Sequence, residues 1–412
     1  MRLLFLSNFY PPADRGGYEQ WCQEVADALK QRGHQVLVVT SRYGREQIQT
    51  AEPDVQRVLY LESDLHHYAP LEFFRQLPKR DRANADQLQA AIETFKPDVI
   101  LVWGMWQLNP QLAVLAEDLR PNRVGYFFCG FWPLQAEELD PHTNFWQGRE
   151  DRRWKDLLKR PVAALVLRRL KRERTRQPQL QHIACVSQAV LNTYRQYGRA
   201  PRDSRVIYGG IDLAQFYRPL EAQPARSRPL RLLFAGAVTR DKGVDTALAA
   251  LAQLAPRYSP QAVHLTVVGR GHPAFEAELR QYVSAHQLAQ HVEFRGWVPK
   301  DQMPRLIRDF DGLLFTSRWQ EPLARMMMEG LAAGLILVST TTGGSQEFLE
   351  HGRNSLTFQA GDAAGLAVQI ERLLREPELG RTLALAGQRT ALEKFDFKRM
   401  VEELEAFARE LC

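Results

Sequence analysis

Short, mostly apolar runs recur along this chain, most of them followed by a turn-rich loop and a segment of helical periodicity. The first half carries RLLFLS at 2–7, HQVLVVT at 34–40, PDVILVW at 97–103, RVGYFFC at 123–129 and HIACVS at 182–187. The second half carries RLLFAGAV at 231–238, HLTVVG at 264–269, VEFRGWV at 292–298, GLLFTS at 312–317 and LILVST at 335–340. A run that is apolar throughout and too short for a helix predicts a strand buried on both faces. Helical periodicity fills the gaps, as at 18–32, where Trp21, Val25, Ala28 and Leu29 share a face and Gly33 supplies a C-cap. Strands alternating with helices close as parallel sheets with right-handed crossovers, so the pattern predicts doubly wound α/β domains.

The chain holds 412 residues, more than one ordinary core organises. The alternation breaks at 218–229, RPLEAQPARSRP, which has no periodicity and reads as a linker. Domains at 1–217 and 218–395 are therefore expected, followed by a terminal helix at 396–412. The stretch GFWPLQAEELDPHTNFWQG after 129 reads as a loop at the carboxyl edge of the first sheet. The segment 149–176 reads as a helix in which Arg and Lys far outnumber Asp and Glu, with Trp154, Leu157, Leu158, Val162, Leu165, Val166 and Leu170 as an apolar stripe. Two readings fit it: peripheral docking on anionic lipid, or a solvated helix with one face packed on its own domain. Its aromatics do not interleave with the basic residues, so nucleic acid is not an expected partner.

Cys22, Cys129, Cys185 and Cys412 lie far apart with no zinc spacing, so they are expected to be reduced packing residues of a cytoplasmic protein. No run reaches the roughly 18 apolar residues of a membrane span, and MRLLFLSNFY reads as a first strand rather than a signal peptide.

The densest chemistry lies at 315–347, FTSRWQEPLARMMMEGLAAGLILVSTTTGGSQE. It reads as strand, sharp turn, helix, strand and Gly-Gly turn. Glu321 and Glu329, eight residues apart, are expected near one helical face, with Glu321 at the N-terminal end. A helix N-terminus suits a phosphate, and the carboxylates beside it could accept hydrogen bonds from a ligand's hydroxyls. Lys242, in the loop TRDKG, can neutralise a phosphate as a point charge. Gly269 and Gly271 sit where a backbone can approach a ligand closely. All of these fall at carboxyl ends of strands, the ligand edge of an open α/β sheet. Gly16 and Gly17 occupy the same edge in the first half and fit a ligand contact or a plain turn equally. A hydrolase pair is the competing idea for the two carboxylates, though a lysine and a helix N-terminus suit a phosphate better than a water. A dinucleotide-dependent oxidoreductase lacks its G-x-G-x-x-G here.

In this order and spacing the elements resemble those of the retaining glycosyltransferases of family 4. Gly236 to Lys242-Gly243 matches the Gly-x5-Lys-Gly element, Val268-Gly269-Arg270-Gly271 the VGxG element, and Val292 to Val298 the VxFxGxV element. Glu321 and Glu329 match the E-x7-E signature, and Gly343, Gly344 and Glu347 the GGxxE turn. PPADRGG, KPDVI, IACVS and VIYGGID extend the resemblance over essentially the whole chain.

The resemblance implies a GT-B fold, an α/β architecture of two Rossmann-like doubly wound domains facing across a cleft. The domain at 1–217 would bind the acceptor and that at 218–395 the nucleotide-sugar donor, with 396–412 packing back toward the first. Glu321 would lie against the donor sugar and Lys242 would hold the diphosphate as leaving group, the two catalytic assignments. Glu329 would bind the ribose, Leu323 and Ala324 would offer backbone amides, and Gly17 would close over the donor phosphate. Arg295 to Trp297 would line the base pocket, and Gly236, Arg240, Gly269 and Gly271 would border the donor. Gly16, Trp103, Cys129 and His142 are the acceptor-side candidates. The implied reaction moves a hexose-type sugar from a nucleotide-diphosphate sugar to a hydroxyl of a glycan, lipid-linked or small-molecule acceptor, with retention and with no metal or cofactor. A non-catalytic nucleotide-sugar-binding protein or an epimerase of the same fold is the alternative. Three departures stand out: Ala237 where many members carry Arg, with Arg240 as a candidate substitute; Leu101, Trp103, Cys129 and Gly130 where many carry His; and Gly209 in place of Asn.

Overall fold

The computed structural model describes residues 1–13, 16–48, 52–65, 70–134, 141–147, 153–173, 176–220 and 229–412. The chain divides into two compact units, Met1–Ile207 with Val401–Cys412, and Tyr208–Met400.

The first unit runs β1 (Arg2–Ser7), α1 (Gly17–Gln31), β2 (Gln35–Ser41), β3 (Val55–Leu59), α2 (Pro70–Arg75), α3 (Leu77–Phe95), β4 (Val99–Gly104), α4 (Gln111–Leu119), β5 (Val124–Phe128), α5 (Pro141–Gln147), α6 (Arg153–Glu173), β6 (His182–Cys185), α7 (Gln188–Gln196) and β7 (Arg205–Val206). Its strands form a parallel sheet of order β3-β2-β1-β4-β5-β6-β7. The strand order reverses between β1 and β4, so their carboxyl ends frame the ligand edge of the unit. Leu3–Leu6 and Val99–Val102 are fully buried, which is why these runs are apolar at every position.

The second unit runs α8 (Leu213–Phe216), β8 (Leu230–Ala235), α9 (Val244–Leu254), β9 (Val263–Val268), α10 (Pro273–Ala285), β10 (Val292–Gly296), α11 (Met303–Leu306), β11 (Gly312–Phe315), α12 (Arg325–Ala332), β12 (Ile336–Thr340), β13 (Leu356–Phe358), α13 (Ala363–Arg375) and α14 (Pro377–Lys394). Its parallel sheet has the order β10-β9-β8-β11-β12-β13, with the reversal between β8 and β11. A last helix, α15 (Phe397–Arg409), starts in this unit and ends in the first.

The unit boundary falls at 207/208 rather than 217/218, because the segment after 208 is bonded into the second unit. Ile211 bridges Asp396, and Gln388 Nε2 donates to the Arg218 carbonyl at 2.8 Å. The expected linker lies mostly outside the described residues, which omit 221–228. The expected loop after 129 contains α5, and α3 spans Leu77–Phe95, with Leu77 and Asn84 buried in its polar first half. Of the basic segment, 153–173 is helical, while 149–152 and 174–175 fall outside the described residues. Its expected stripe divides: Val166 and Leu170 are buried in a small cluster with Leu77, whereas Val162 and Leu165 are exposed. The side chains of Trp154, Leu157 and Leu158 are not among those described. No helix among the described residues is long and apolar enough to cross a membrane.

Candidate active site

Lys242 and Glu321 come from the two strands that flank the reversal point of the second sheet. Lys242 lies in the loop after β8 and Glu321 in the turn after β11, and Lys242 Nζ stands 2.8 Å from Glu321 Oε1. The lysine loop is tied down by the neighbouring strand end. Thr316 Oγ1 donates to the Lys242 carbonyl at 2.8 Å, and the Arg318 amide donates to the Asp241 carbonyl at 2.7 Å. Gly243 follows with φ +69°, and a Cβ there would meet the Thr316 carbonyl oxygen at 2.1 Å. Only glycine fits this position, both for its backbone conformation and for the close approach.

Glu321 is not on the helix. Helix α12 begins only at Arg325, so the two glutamates do not share a helical face; Pro322 to Ala324 precede the helix, with Ala324 in an extended conformation as its N-cap. Their relationship is tertiary. Glu321 is buried and its backbone is clasped by the Gly-Gly turn: the Gly344 amide donates to its carbonyl at 2.8 Å. Gly343 has φ +58°, and a Cβ there would lie 1.9 Å from that same carbonyl oxygen. The Gly343 amide in turn donates to Gln320 Oε1 at 2.7 Å. The Gly-Gly turn therefore holds the first glutamate of the signature in place.

Glu329 lies inside α12, buried, and accepts from Arg325 Nε at 3.1 Å. Leu323 and Ala324 are buried at the entry to α12, and the N-cap Ala324 provides no side-chain cap. A helix N-terminus carries the positive end of the helix dipole, the kind of end that suits an anion.

The remaining donor-side candidates separate. Gly269 and Gly271 are required by the packing of their own domain. A Cβ at Gly269 would sit 1.8 Å from the Gly236 oxygen, and one at Gly271 would sit 1.9 Å from the Val238 oxygen. Gly236 itself has φ +153° and open space where a Cβ would be, so it is the glycine of this group with an unobstructed face. Arg240 is turned away from Glu321. Its guanidinium takes Glu278 at 2.6 Å and 2.9 Å and lies 4.8 Å over the Phe275 ring, so this geometry does not substitute for the arginine missing at Ala237. Arg295 pairs with Glu293 at 3.2 Å, and Trp297 is 60% exposed at the end of β10.

In the first unit, Asn8 Nδ2 donates to the Trp106 carbonyl and to Tyr18 Oη, both at 3.0 Å, joining the ends of β1 and β4 to α1. Gly104 makes room for this, since a Cβ there would lie 2.6 Å from Asn8 Oδ1. Gly16 is the N-cap of α1 and Gly17 its first residue. Trp103, expected on the acceptor side, is instead a core residue. It is buried against Phe5 and Phe127 and donates its Nε1 hydrogen to the Tyr18 carbonyl at 2.8 Å. Cys129 follows β5 and is half-buried, and desolvation pushes its thiol above the usual range. His142 is buried on α5 rather than carried by a loop. Asn8, Gln320 and Arg325 were not among the expected residues; only Arg325 carried a signal, its i−4 spacing from Glu329.

Two parallel-sheet α/β units, each reversing strand order at its first strand, define the GT-B architecture. The sequence family described as Glycosyltransferase Family 4 matches residues 15–215, and that described as Glycosyl transferases group 1 matches residues 229–376. The chain belongs to this family of group 1, family 4 glycosyltransferases. It is 25% identical over 413 residues to the glycogen synthase of Mycobacterium tuberculosis, covering 97% of this chain and 92% of that one. It is 29% identical over 228 residues to the spore coat protein SA of Bacillus subtilis, covering 51% and 59% respectively. Among solved structures it superimposes on HepE of Anabaena in complex with UDP with a TM-score of 0.71 at 21% identity, covering all of both chains. The sucrose-phosphate synthase of Thermosynechococcus elongatus gives 0.70 at 19% identity, covering 100% of this chain and 98% of that one.

Proposed function

We propose that this glycosyltransferase moves a hexose-type sugar from a nucleotide-diphosphate sugar to an acceptor hydroxyl with retention of anomeric configuration. The observation that carries the reading is the Lys242–Glu321 pair at the reversal point of the second sheet, beside the uncapped start of α12. One ammonium there serves two anions, the glutamate and an arriving diphosphate. As it turns to the diphosphate, Glu321 is left negative against the sugar, where positive charge develops. The anomeric C–O bond breaks and the diphosphate leaves with both bonding electrons, stabilised by Lys242 and the first amides of α12. The acceptor oxygen bonds to the anomeric carbon, and its proton passes to a leaving phosphate oxygen. Glu329, fixed by Arg325, accepts from the ribose hydroxyls. That HepE has been solved with UDP and with UDP-glucose supports a nucleotide-sugar donor of that kind.

The same reading assigns no metal or cofactor, so turnover persists in excess chelator. The candidate acceptors are glycans, lipid-linked intermediates and small glycosides. The exposed Val162 and Leu165, on a helix that also carries Arg168 and Arg169, support peripheral contact with an anionic membrane from the cytoplasmic side. The functional test is a thermal-shift screen of nucleotide sugars, followed by NMR of the product of the stabilising donor. Stabilisation by no nucleotide sugar defeats the donor reading, and an inverted anomeric signal defeats retention.

A further inference from the structure

Arg57 is an arginine where the sequence offers no reason for one. It is the middle residue of the edge strand β3, and its side chain is only 5% exposed. Its donors serve two targets, a pair of carbonyls and a carboxylate. Nη1 donates to the Tyr10 carbonyl at 2.9 Å and Nη2 to the Pro11 carbonyl at 2.6 Å. Nε and Nη2 also take the carboxylate of Glu52 at 2.7 Å and 3.0 Å, which braces the guanidinium from the far side. The Tyr10 carbonyl additionally accepts from the Ala13 amide at 3.2 Å. Two further contacts seat the same loop on the connection between β2 and β3. The Phe9 ring meets Tyr43 edge-on at 5.1 Å, and Gly44, with φ +67°, lies so close to Ala13 that a Cβ would stand 2.4 Å from the Ala13 Cβ.

The loop held in this way leaves β1 and leads to Gly16 and Gly17. Arg57 is buried and Glu52 half-buried, so the pair gives up much of its hydration, and apolar residues of similar size often replace such a pair without loss of stability. What apolar residues cannot supply is a rigid fork that fixes two successive carbonyls. We propose that Arg57 is a positioning residue for sugar transfer: braced by Glu52, it fixes the Tyr10–Pro11 backbone and thereby sets where Gly16 and Gly17 meet the substrate. The inference rests on the proposed transferase function and on the ligand-contact roles that the family resemblance implies for Gly16 and Gly17. Arg57 touches no reacting atom; its effect is carried through the loop.

The test compares Arg57→Met, Arg57→Lys and the double variant Arg57→Met/Glu52→Leu with the wild-type chain, by hydrogen exchange and steady-state kinetics. In Arg57→Met the amides at 9–18 exchange faster by about tenfold or more while those of β8 to β12 are unchanged. Its kcat falls by about tenfold or more, while calorimetric affinity for the nucleoside diphosphate stays within about twofold. Arg57→Lys recovers part of kcat, since it keeps the charge but not the fork. The double variant leaves no uncompensated charge, so it keeps the experiment readable if the single variant does not fold, and it shows the same loss. Unchanged exchange at 9–18, or kcat within about twofold of wild type in a folded variant, overturns the proposal. If the wild-type chain transfers from no nucleotide sugar, the functional reading has failed separately, and the exchange measurement still decides whether Arg57 holds the loop.

Discussion

Lys242 Nζ and Glu321 Oε1 stand 2.8 Å apart although 79 positions separate them in the chain (321 − 242 = 79). The pair assigns separable roles. On the proposed mechanism, Glu321→Gln removes the charge assigned to the sugar and keeps the shape, so transfer should fall by about 10²–10³-fold while nucleoside diphosphate affinity changes little. Lys242→Met weakens that affinity as well. Steady-state turnover and calorimetry read the two effects, and wild-type turnover in Glu321→Gln removes its assignment.

Glu329 is expected to act in binding. Glu329→Ala loses charge-assisted bonds to the ribose and takes from Arg325 the carboxylate that orients it, so affinity for a nucleoside diphosphate drops by roughly ten- to a hundredfold. Calorimetry with the ribo- and 2′-deoxyribonucleotide checks the assignment: the wild type prefers the ribonucleotide, and the variant loses the preference.

Gly343→Ala is expected to harm stability and activity together. Its Cβ would lie 1.9 Å from the Glu321 carbonyl oxygen at a φ of +58°, so either the turn or Glu321 must move. A thermal melt several degrees lower, with lost transfer, is the expected result. Gly130→Ala serves as control, since nothing beyond its chain neighbours lies within 4 Å of the position a Cβ would take there. Equal melts for the two variants contradict the clasp.

Glu405 makes stability fall in acid. Burial alone would raise its carboxyl, but hydrogen bonds from Arg32, Arg409 and His34 outweigh that and hold it at about 2, below an ordinary value of 4.5. A depressed carboxyl stabilises the fold fully above its unfolded value, and the contribution is lost as pH falls from about 4.5 toward 2. Denaturant midpoints measured across that window should decline, and Glu405→Gln should flatten the slope.

The exposed apolar residues of α6 give a membrane prediction. Wild-type protein should co-sediment with anionic vesicles at low salt and release as salt rises. Leu165→Asp, or reversal of charge at Arg168 and Arg169, should abolish binding. No sedimentation of the wild type at low salt removes the idea.

The buried strands were legible because burial on both faces writes an apolar run into the sequence. β3 was not, since VQRVL carries a polar pair in its middle, and one of those residues is turned inward as Arg57. The E-x7-E spacing was legible, but its geometry was not. The turn at Glu321 is clasped by Gly343 and Gly344, whose own turn was legible but whose contact with Glu321, across the length of a helix and a strand, was not. Which cation faces the site was equally hidden. Lys242 and Arg240 are two residues apart, yet Lys242 pairs with Glu321 while Arg240 pairs with Glu278.

Helix α15 has a consequence for synthesis. Phe407 and Leu411 lie where a Cβ on Gly125 would stand, at 2.8 Å, and Glu405 takes Arg32 and His34. The ribosome emits Glu405 to Leu411 only after the whole second unit. The first unit therefore begins to form early but cannot be completed until the second has emerged behind it. A stop codon placed before Phe407 would wound the domain made first, and a tag fused after Cys412 would sit on the N-terminal half of the enzyme.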